Sequence, residues 1–353
     1  MTRTTPMEVP PFYCPIPPAQ HPRAHEVQQD AVEWARTRGF EPDPARLARL
    51  ARGDLGGLAA KSMPEAEFEP LTVVAHWYML VFSFDDTTCD ETPATTAGLC
   101  RRLSLLQRVL EAPSPAWPDE NPYTEGFRDL RVSWGRLATP VQVRRWIEGK
   151  REFFSGLVWE STYRASGALP GVNEYVTMWL RAVGMIPLMT MLDAVRGYEL
   201  PPAELERPVV RALVEMAGTL VAWDNDLISR AKEIHRAGDT LNLLDVLAVE
   251  RGLSLEAARD AVVAMRDRVM VMFLRLAERV SAGACQELRD FVSDLGRCVR
   301  GHLDWALTCD RYRHPSGNHL GPVVRLPTEF AERPADDRAQ PLPLPTLAWW
   351  WDL

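Results

Sequence analysis

No apolar run in the sequence reaches the roughly 18 residues that a membrane-spanning helix needs. The first residues, Met1-Thr2-Arg3, lead into polar and proline-rich sequence rather than the apolar core of a secretory signal. An excess of basic residues is also missing, since the formal net charge is −8, and this argues against a nucleic-acid-binding surface. We therefore expect a cytoplasmic protein with neither a membrane nor a nucleic acid as its partner.

The six cysteines show none of the close spacings that zinc sites use. We expect them to be free thiols in a reducing cytosol. A glycine-rich phosphate loop, an internal repeat and an alternating strand pattern of useful length are absent from the sequence as well. These absences argue against a P-loop enzyme, a repeat protein and a sheet protein. The cysteines are Cys14, Cys89, Cys100, Cys285, Cys298 and Cys309.

What the sequence does contain is a helical spacing of apolar residues along most of its 353 residues. Proline and glycine clusters interrupt the spacing, for example Pro42-Asp43-Pro44 and Leu200-Pro201-Pro202. A chain of this length can fold as one domain with a large core. We predict an all-α fold, a single-domain helical bundle around a central apolar cavity. The predicted helices span 23–38, 43–52, 70–90, 95–110, 140–165, 171–196, 203–236, 240–250, 254–281 and 283–313.

The two ends of the sequence differ from this helical body. Residues 1–22 are proline-rich and predict an extended segment laid across a helical domain of residues 23–313. Residues 314–353 are again proline-rich and end in Trp349-Trp350-Trp351, which is too apolar for a free tail. We expect these tryptophans to dock on the bundle, either as a structural clamp or as part of a lid. The acidic pair Asp336-Asp337 is expected to lie in a solvated loop.

One polar cluster has the spacing of a single helix face. Asn225, Ser229 and Glu233 lie at i, i+4 and i+8, so an amide oxygen, a hydroxyl and a carboxylate can converge on one ion. The stripe that precedes them on this face is small or apolar, as in a helix whose lower turns line a pocket. Oxygen ligands of this kind suit Mg²⁺. The alternative is an ordinary solvated helix face.

A second acidic cluster ends a strongly apolar helix pattern. Asp85, Asp86, Asp90 and Glu91 follow one another closely, and Asp86 and Asp90 are i, i+4 neighbours. Carboxylates this close repel one another unless a cation neutralises them, and the helix dipole disfavours acids at this end. The position therefore favours a second metal-binding cluster over an ordinary charged helix terminus. Phe82 lies one turn before Asp86 and is expected to point into a cavity next to this acidic cluster.

The two clusters together resemble those of the bacterial class I terpene synthases. The stretch Asp85-Asp86-x-x-x-Asp90-Glu91 is similar to that family's aspartate-rich motif, and Asn225-Asp226-x-x-Ser229-x-x-Lys232-Glu233 is similar to its metal triad. Two later stretches, Gly238-Asp239-x-x-Asn242-Leu243 and Trp305 followed by Arg311-Tyr312, resemble the segments that follow this triad in the family. The resemblance extends from about residue 10 to residue 315.

The resemblance implies roles for individual residues. Asp85 would bind metal directly, supported by Asp86, Asp90 and Glu91, while Asn225, Ser229 and Glu233 would bind one of three Mg²⁺ ions, for which Mn²⁺ is a substitute. Lys232, Arg311 and Tyr312 would bind the diphosphate. Trp305 precedes Tyr312 by seven residues and so faces the same way on a helix, where its indole could stabilise a carbocation. Arg181 would sense the diphosphate together with Gly184, although Arg181 lies one position later, relative to Pro187, than the family's arginine.

The activity implied by the resemblance is ionisation of an allylic isoprenyl diphosphate and cyclisation of the carbocation. Farnesyl diphosphate is the expected substrate, with geranyl, methylated geranyl or geranylgeranyl diphosphate as alternatives. An isoprenyl diphosphate synthase would carry a second aspartate-rich motif in place of Asn225, Ser229 and Glu233, and a class II cyclase would need an Asp-x-Asp-Asp motif that the sequence lacks. A non-catalytic helical binding protein is the alternative from another class. A homodimer is compatible with all of these.

Overall fold

The computed structural model describes residues 7–41, 43–91, 94–113, 121–315 and 323–353, with residues 90, 91 and 237 described by their backbone alone. It confirms the predicted all-α fold, and across these ranges the only extended pairing is an isolated bridge between Tyr13 and Ala331. The helices are α1 (Ala24–Arg38), α2 (Pro44–Arg52), α3 (Leu55–Ser62), α4 (Phe68–Phe84), α5 (Thr96–Glu111), α6 (Pro122–Leu137), α7 (Pro140–Ser166), α8 (Val172–Ala182), α9 (Met185–Met189), α10 (Pro202–Leu205), α11 (Pro208–Ala237), α12 (Leu243–Arg251), α13 (Leu255–Ser281), α14 (Gln286–Ala306) and α15 (Asp310–Arg313).

Side-chain caps fix where several of these helices begin. Asp43 accepts a hydrogen bond from the backbone N–H of Ala45 at the start of α2, and Ser254 accepts one from Ala257 at the start of α13. Thr139 and Gln142 form a reciprocal capping box at the start of α7. Such caps satisfy backbone donors that have no partner within the helix. They set the register in which α7 and α13 present their side chains to the core.

The upper end of α4 changes its winding. Immediately after Phe84 the chain forms a π-helical segment over Asp85–Glu91. π-helical turns are rare and occur often at functional sites. The segment packs against α11, while α4 itself packs on α1, α3 and α6. The predicted first acidic cluster therefore lies beside the helix that carries the second.

The predicted helix 171–196 is interrupted, and this corrects the sequence-based expectation. Helix α8 ends at Ala182, α9 starts at Met185, and Gly184 between them has φ +78°. This left-handed conformation is open to glycine and strained for residues with a Cβ atom. The break turns the backbone of 183–184 toward the interior of the bundle.

The terminal segments cross on the bundle surface. The backbone N–H of Ala331 donates to the carbonyl of Phe12 at 2.8 Å. The buried guanidinium of Arg266 on α13 donates to Asp224 at 2.7 Å and also to the carbonyl of Tyr13. These bonds attach both segments to the long helices α11 and α13.

The C-terminal segment packs more tightly than its sequence indicates. Trp350 is 0% exposed, and its indole N–H donates to Glu215 on α11 at 3.0 Å. Asp336 is buried and bonded to Arg268 and Arg338, so the expectation of a solvated loop is wrong for this residue. Hydrogen bonds from the guanidinium groups of Arg338 and Arg268 hold the pKa of the Asp336 carboxyl well below its usual range. Trp350 thus binds α11, and none of the three tryptophans lines the cavity described below, which favours the clamp over the lid.

Among the described helices, none taken singly has the length and apolar character to span a membrane. One bent pair, Val172–Ala182 with Met185–Arg196, passes that test only when its two parts are joined.

Candidate active site

A cavity that opens to solvent lies between α3, α4, α7, α8, α11 and α14, and its empty space is about 970 Å³ when the open mouth is included. Its wall is apolar and rich in aromatic rings, and its mouth is polar. Such a combination of an apolar pocket with a few convergent polar groups is typical of a ligand site. The wall includes Leu58, Trp77, Phe82, Phe153, Trp179 and Val221. The mouth includes Asp85, Asn225, Lys232, Glu233, Arg311 and Tyr312.

The first acidic cluster divides between two environments. Asp85 lines the cavity, whereas Asp86 is 6% exposed and accepts two hydrogen bonds from Arg311 at 2.7 and 2.8 Å. Burial by itself would raise the pKa of Asp86, but Arg311, with Lys232 and Arg236 nearby, holds that pKa well below its usual range. Asp86 is therefore an ionised anchor for Arg311. The side chains of Asp90 and Glu91 lie outside the described residues.

The second cluster shows the geometry of an oxygen-ligand site. The Nδ2 atom of Asn225 donates to the hydroxyl of Tyr312 at 2.8 Å. The other polar atom of the side chain, the amide oxygen, is the one that can bind a cation. The hydroxyl of Ser229 donates to Glu233, whose other oxygen accepts from Asn242 at 3.1 Å. One α-helix thus brings an amide, a hydroxyl and a carboxylate together as the i, i+4, i+8 spacing predicts.

The donor chemistry of this cluster fits a hard divalent cation. Oxygen ligands from carboxylates, amides and hydroxyls suit Mg²⁺, which usually takes only one or two carboxylates and completes its shell with water and phosphate. Among the described residues, no group of three or more His, Cys, Asp or Glu side chains could hold a metal. A site built here must therefore use Asn225 and Ser229 beside the carboxylates Asp85 and Glu233.

Buried groups behind the cluster hold it in position. The hydroxyl of Tyr175 on α8 donates to Asp226 at 2.8 Å, and the amide of Asn242 donates to the carbonyl of Asp226 at 3.0 Å. Burial and the neighbouring charge of Glu233 raise the pKa of the Asp226 carboxyl well above its usual range. These contacts fix the rotation of α11 against α8 and α12. Partners of this kind orient the ligands of a metal site.

Arg181 is not brought to the cavity, although the family resemblance gives it the role of diphosphate sensor. Its Nη1 donates to the carbonyl of Thr177 one turn earlier at 3.2 Å, and its charge acts on Glu215, the residue that binds Trp350. Neighbouring residues of the same helix end, including Trp179 and Gly184, do line the cavity. The reason is helix phase: one position along an α-helix turns a side chain by about 100°.

Arg164 on α7 lines the cavity instead, a position that the sequence pattern did not predict. Its Nε donates to Asp239 at 2.8 Å, and its Nη1 lies 3.2 Å from a carboxylate oxygen of Glu160 one turn earlier. Both Arg164 and Glu160 lie in the cavity lining. Asp239 belongs to the Gly238-Asp239 stretch of the sequence. An acidic residue in that motif indicates that a basic residue pairs with it, but the sequence does not say which one.

The aromatic residues at the mouth form two layers. Phe82 lines the cavity, and the Arg311 guanidinium lies 4.8 Å from its ring centroid. Trp305 does not line the cavity; it packs edge-on behind Phe82 and Tyr312, with centroids 5.8 and 5.5 Å away, and its indole donates to the carbonyl of Gly53 at 2.7 Å. The expectation of a Trp305 face turned to the substrate is therefore corrected: Trp305 supports the two rings that reach the cavity.

The helical bundle, the apolar cavity and the polar mouth define a class I terpene synthase, and known proteins match accordingly. A family model described as terpene synthase family 2, C-terminal metal binding, matches residues 76–271. Bonnadiene synthase of Allokutzneria albata is 36% identical over 98% of this chain and 98% of its own length. A (+)-T-muurolol synthase of Streptomyces clavuligerus, whose name specifies cyclisation of (2E,6E)-farnesyl diphosphate, is 35% identical over 96% of this chain and 81% of its own.

A solved structure agrees over nearly the whole chain. The crystal structure of the SVS_A2 protein from ancestral sequence reconstruction has a TM-score of 0.86 at 34% identity and covers 98% of this chain and 99% of its own. The chain therefore belongs to the terpene synthase family. It is an enzyme, a lyase acting on an isoprenyl diphosphate, and it depends on a divalent metal, generally Mg²⁺.

Proposed function

We propose that this enzyme ionises farnesyl diphosphate and cyclises the resulting carbocation, with the diphosphate held at the polar mouth and the hydrocarbon in the aromatic cavity. The observation that carries the proposal is the joint lining of one cavity by Asp85 from the π-helical segment and by Asn225, Lys232 and Glu233 from α11. A charged mouth above a dry apolar wall matches a substrate that is charged at one end and apolar along the rest.

The metal ligands in this proposal are Asp85 on one side and Asn225, Ser229 and Glu233 on the other. Three Mg²⁺ are proposed, with Mn²⁺ as a substitute, and Asp90 and Glu91 retain their predicted supporting role. When bound, the metal supplies Lewis-acid and electrostatic stabilisation of the leaving diphosphate. The protein contributes ligands whose positions are fixed in advance by hydrogen bonds within and behind the cluster.

The diphosphate is bound in this proposal by Lys232, Arg311 and Tyr312, as the resemblance implies, and by Arg164 in place of Arg181. Lys232, Arg164 and Arg311 line the same cavity mouth. Arginine suits this task because its planar fork of donors matches phosphate oxygens. Asp86 keeps the Arg311 guanidinium oriented by its two hydrogen bonds.

The apolar wall then guides the hydrocarbon. Aromatic rings such as Trp77 and Phe82 can stabilise positive charge over their faces, by about 2 kcal/mol where water is excluded. Holding the chain in a folded conformation brings the reacting carbons together and removes most of the entropic barrier to ring closure. Exclusion of water protects the cation until the reaction ends.

Farnesyl diphosphate is the proposed substrate because the T-muurolol synthase relative carries that substrate in its name and is 35% identical. Other relatives, such as bonnadiene synthase at 36% identity, carry no substrate in their names. The substrate test must therefore include geranylgeranyl diphosphate. A cytoplasmic location is proposed as well, since all six cysteines are free and two of them, Cys100 and Cys285, are exposed.

Incubation of the purified protein with geranyl, 2-methylgeranyl, farnesyl or geranylgeranyl diphosphate and Mg²⁺ tests the proposal, with products identified by gas chromatography and mass spectrometry. We expect a cyclic terpene from farnesyl diphosphate, no turnover after chelation, and recovery with Mg²⁺ or Mn²⁺. A cyclic product from geranylgeranyl diphosphate alone would contradict the chain length and leave the reaction class intact. Full turnover in the presence of excess chelator would contradict the metal site.

Substitution of one ligand localises that metal site. Glu233→Gln keeps the shape of the side chain and removes its charge, and we expect turnover to fall by at least about 100-fold, the loss typical when one group that stabilises developing charge is removed. Glu278→Gln on α13, which changes an exposed residue in the same way, is the matched control. Equal rates for both variants would place the metal elsewhere.

A further inference from the structure

His302 lies in the wall of the cavity, on α14 and one turn before Trp305. It is 6% exposed, and its ring centroid lies 5.9 Å from that of Trp305. The Nδ1 atom is buried and has no hydrogen-bond partner in the described part of the protein. An unpaired buried polar atom costs about 1–3 kcal/mol, so the hydrogen bonds of the described protein do not account for an imidazole at this position in the cavity lining.

The other polar groups near His302 hold their protons. Cys298, one turn earlier on α14, also lines the cavity, and its thiol lies 3.6 Å from the carbonyl oxygen of Ser62. Burial raises the pKa of the Cys298 thiol and of the Tyr78 phenol, so both stay protonated. Neither group can remove a proton from a substrate.

The carboxylates of the cavity lie at its mouth, and Glu233 and Glu160 already have hydrogen-bond or ion-pair partners there. Glu233 accepts hydrogen bonds from Ser229 and Asn242, and Glu160 is paired with Arg164. These two and Asp85, the third carboxylate of the lining, belong to the part of the cavity that the proposed metals and diphosphate fill. Among the lining residues that the structure describes, the His302 imidazole is thus the base of the apolar wall.

The protonation state of His302 suits this position. Burial lowers its pKa to about 4, so the imidazole is neutral at pH 7 and does not repel a carbocation. A neutral imidazole carries one N–H and one nitrogen with a free lone pair. A carbon-bound hydrogen beside a cationic carbon is a far stronger acid than an imidazolium, so even this weakened base can accept it.

We propose that His302 is the general base that ends the reaction by taking a proton from the final carbocation. The inference rests on the proposed function. A lone pair on the imidazole bonds to a hydrogen on the carbon next to the cationic centre. The two electrons of the broken C–H bond become the new C=C bond and neutralise the cation. The imidazolium then gives its proton to the released diphosphate, which restores neutral His302 for the next turnover.

The test compares product mixtures of the full-length enzyme with Mg²⁺ and the diphosphate that the wild type converts. His302→Phe keeps a ring in the wall and removes both nitrogens. We expect the native olefin to fall from the main product to less than about a tenth of the mixture, because a positioned base contributes about 10²–10⁴-fold to proton transfer. Olefins with another double bond, or alcohols from water capture, replace it, while substrate consumption stays within about tenfold of the wild type.

Two further variants supply a control and a rescue. His76→Phe makes the same change at a histidine on α4 that does not line the cavity, and we expect the native olefin to remain its main product. His302→Ala leaves space for a small molecule, and we expect added imidazole to raise the share of the native olefin again. This rescue also serves if His302→Phe does not fold.

Several results would overturn the inference. The native olefin as main product of His302→Phe would do so, as would an equal loss in His76→Phe, failure of imidazole to rescue His302→Ala, or a wild-type product that is solely an alcohol. Absence of wild-type turnover with all four diphosphates would overturn the proposed function and this inference with it. An unchanged olefin in an active variant overturns the role of His302 alone.

Discussion

Two arginines on neighbouring helices differ in whether they reach the cavity. Arg164 lines the cavity from α7, whereas Arg181 donates to its own helix backbone and faces the side of Glu215. Loss of one charged contact in a site from which water is excluded costs about 3 kcal/mol or more. We therefore expect Arg164→Ala to lower kcat/KM by at least about 100-fold and Arg181→Ala to leave it within about tenfold.

Steady-state kinetics on the two purified variants checks this prediction, with circular dichroism to show that both remain helical. The reverse order, with Arg181→Ala the more damaged, would restore the role that the motif implies for Arg181. Arg164→Lys distinguishes charge from geometry, because lysine keeps the charge and loses the planar fork of donors.

The two aromatic layers give a second prediction for single residues. Phe82 reaches the cavity, while Trp305 lies behind it and holds the carbonyl of Gly53. We expect Phe82→Leu to shift the product ratio toward acyclic or early-quenched products, since a cation–π contact of about 2 kcal/mol is worth roughly 30-fold at a branch point. Trp305→Phe should mainly lower the melting temperature, because it removes one buried hydrogen bond and part of a packed ring.

Product analysis beside thermal unfolding separates these two effects. A changed product ratio in Trp305→Phe with an unchanged melting temperature would show that Trp305 acts on the cation directly.

The helix break at Gly184 can be tested as a feature of one element. Its φ of +78° makes any Cβ unfavourable, by about 1–2 kcal/mol, and an added Cβ would lie 3.4 Å from the ring of Phe153 in the cavity wall. We expect Gly184→Ala to lower the free energy of unfolding by that amount and to alter the product ratio, because Gly184 itself lines the cavity. Differential scanning calorimetry and product analysis measure the two effects.

Gly283 supplies the control for this substitution. A Cβ there would meet no atom within 4 Å, and its φ is not left-handed. Gly283→Ala should therefore change stability by less than about 0.5 kcal/mol. Equal effects of the two substitutions would show that the break at Gly184 is not held by its backbone conformation.

Helix periodicity predicted most of the bundle, and its failures have local causes. Helix α3 (Leu55–Ser62) was missed because it is eight residues long and contains two glycines, which lower helix propensity. Gly56 allows α3 to pack closely against α1, because a Cβ on it would lie 2.4 Å from the Cα of Gln28. Helix α6 (Pro122–Leu137) was missed as well, although Asn121 caps it in the usual way.

Residue spacing in the sequence predicted the arrangement of site residues only where they lie on one helix. The positions of Asn225, Ser229 and Glu233 are set by α11 alone, so their i, i+4, i+8 pattern sufficed. Arg181 and Trp305 depend on where a helix breaks and on what packs against it, and a linear pattern does not contain that information. Arg164 and His302 could not be found from spacing, since only the packing of α7 and α14 brings them to the cavity.

At the scale of the whole molecule, the C-terminal tryptophans stabilise the bundle from outside. Trp350 is 0% exposed and bound to Glu215, whereas its neighbour Trp351 is only partly buried. We expect Trp350→Ala to lower the free energy of unfolding by about 3–5 kcal/mol and Trp351→Ala by clearly less. The product ratio should stay the same in both variants, because neither residue lines the cavity.

Thermal unfolding and product analysis of the pair check this expectation. A changed product ratio in Trp350→Ala at a temperature where the variant is folded would indicate that the C-terminal segment acts on the site after all.

The cavity wall is assembled from six helices, each of which contributes only a few side chains. The groups proposed to start the reaction lie at the mouth of this cavity, on the C-terminal half of α11, near the end of α7, on α15 and in the π-helical segment. Random substitution can therefore reshape the wall in small, independent steps while ionisation continues unimpaired. In evolutionary terms, this separation lets a lineage acquire new carbon skeletons without passing through an inactive ancestor.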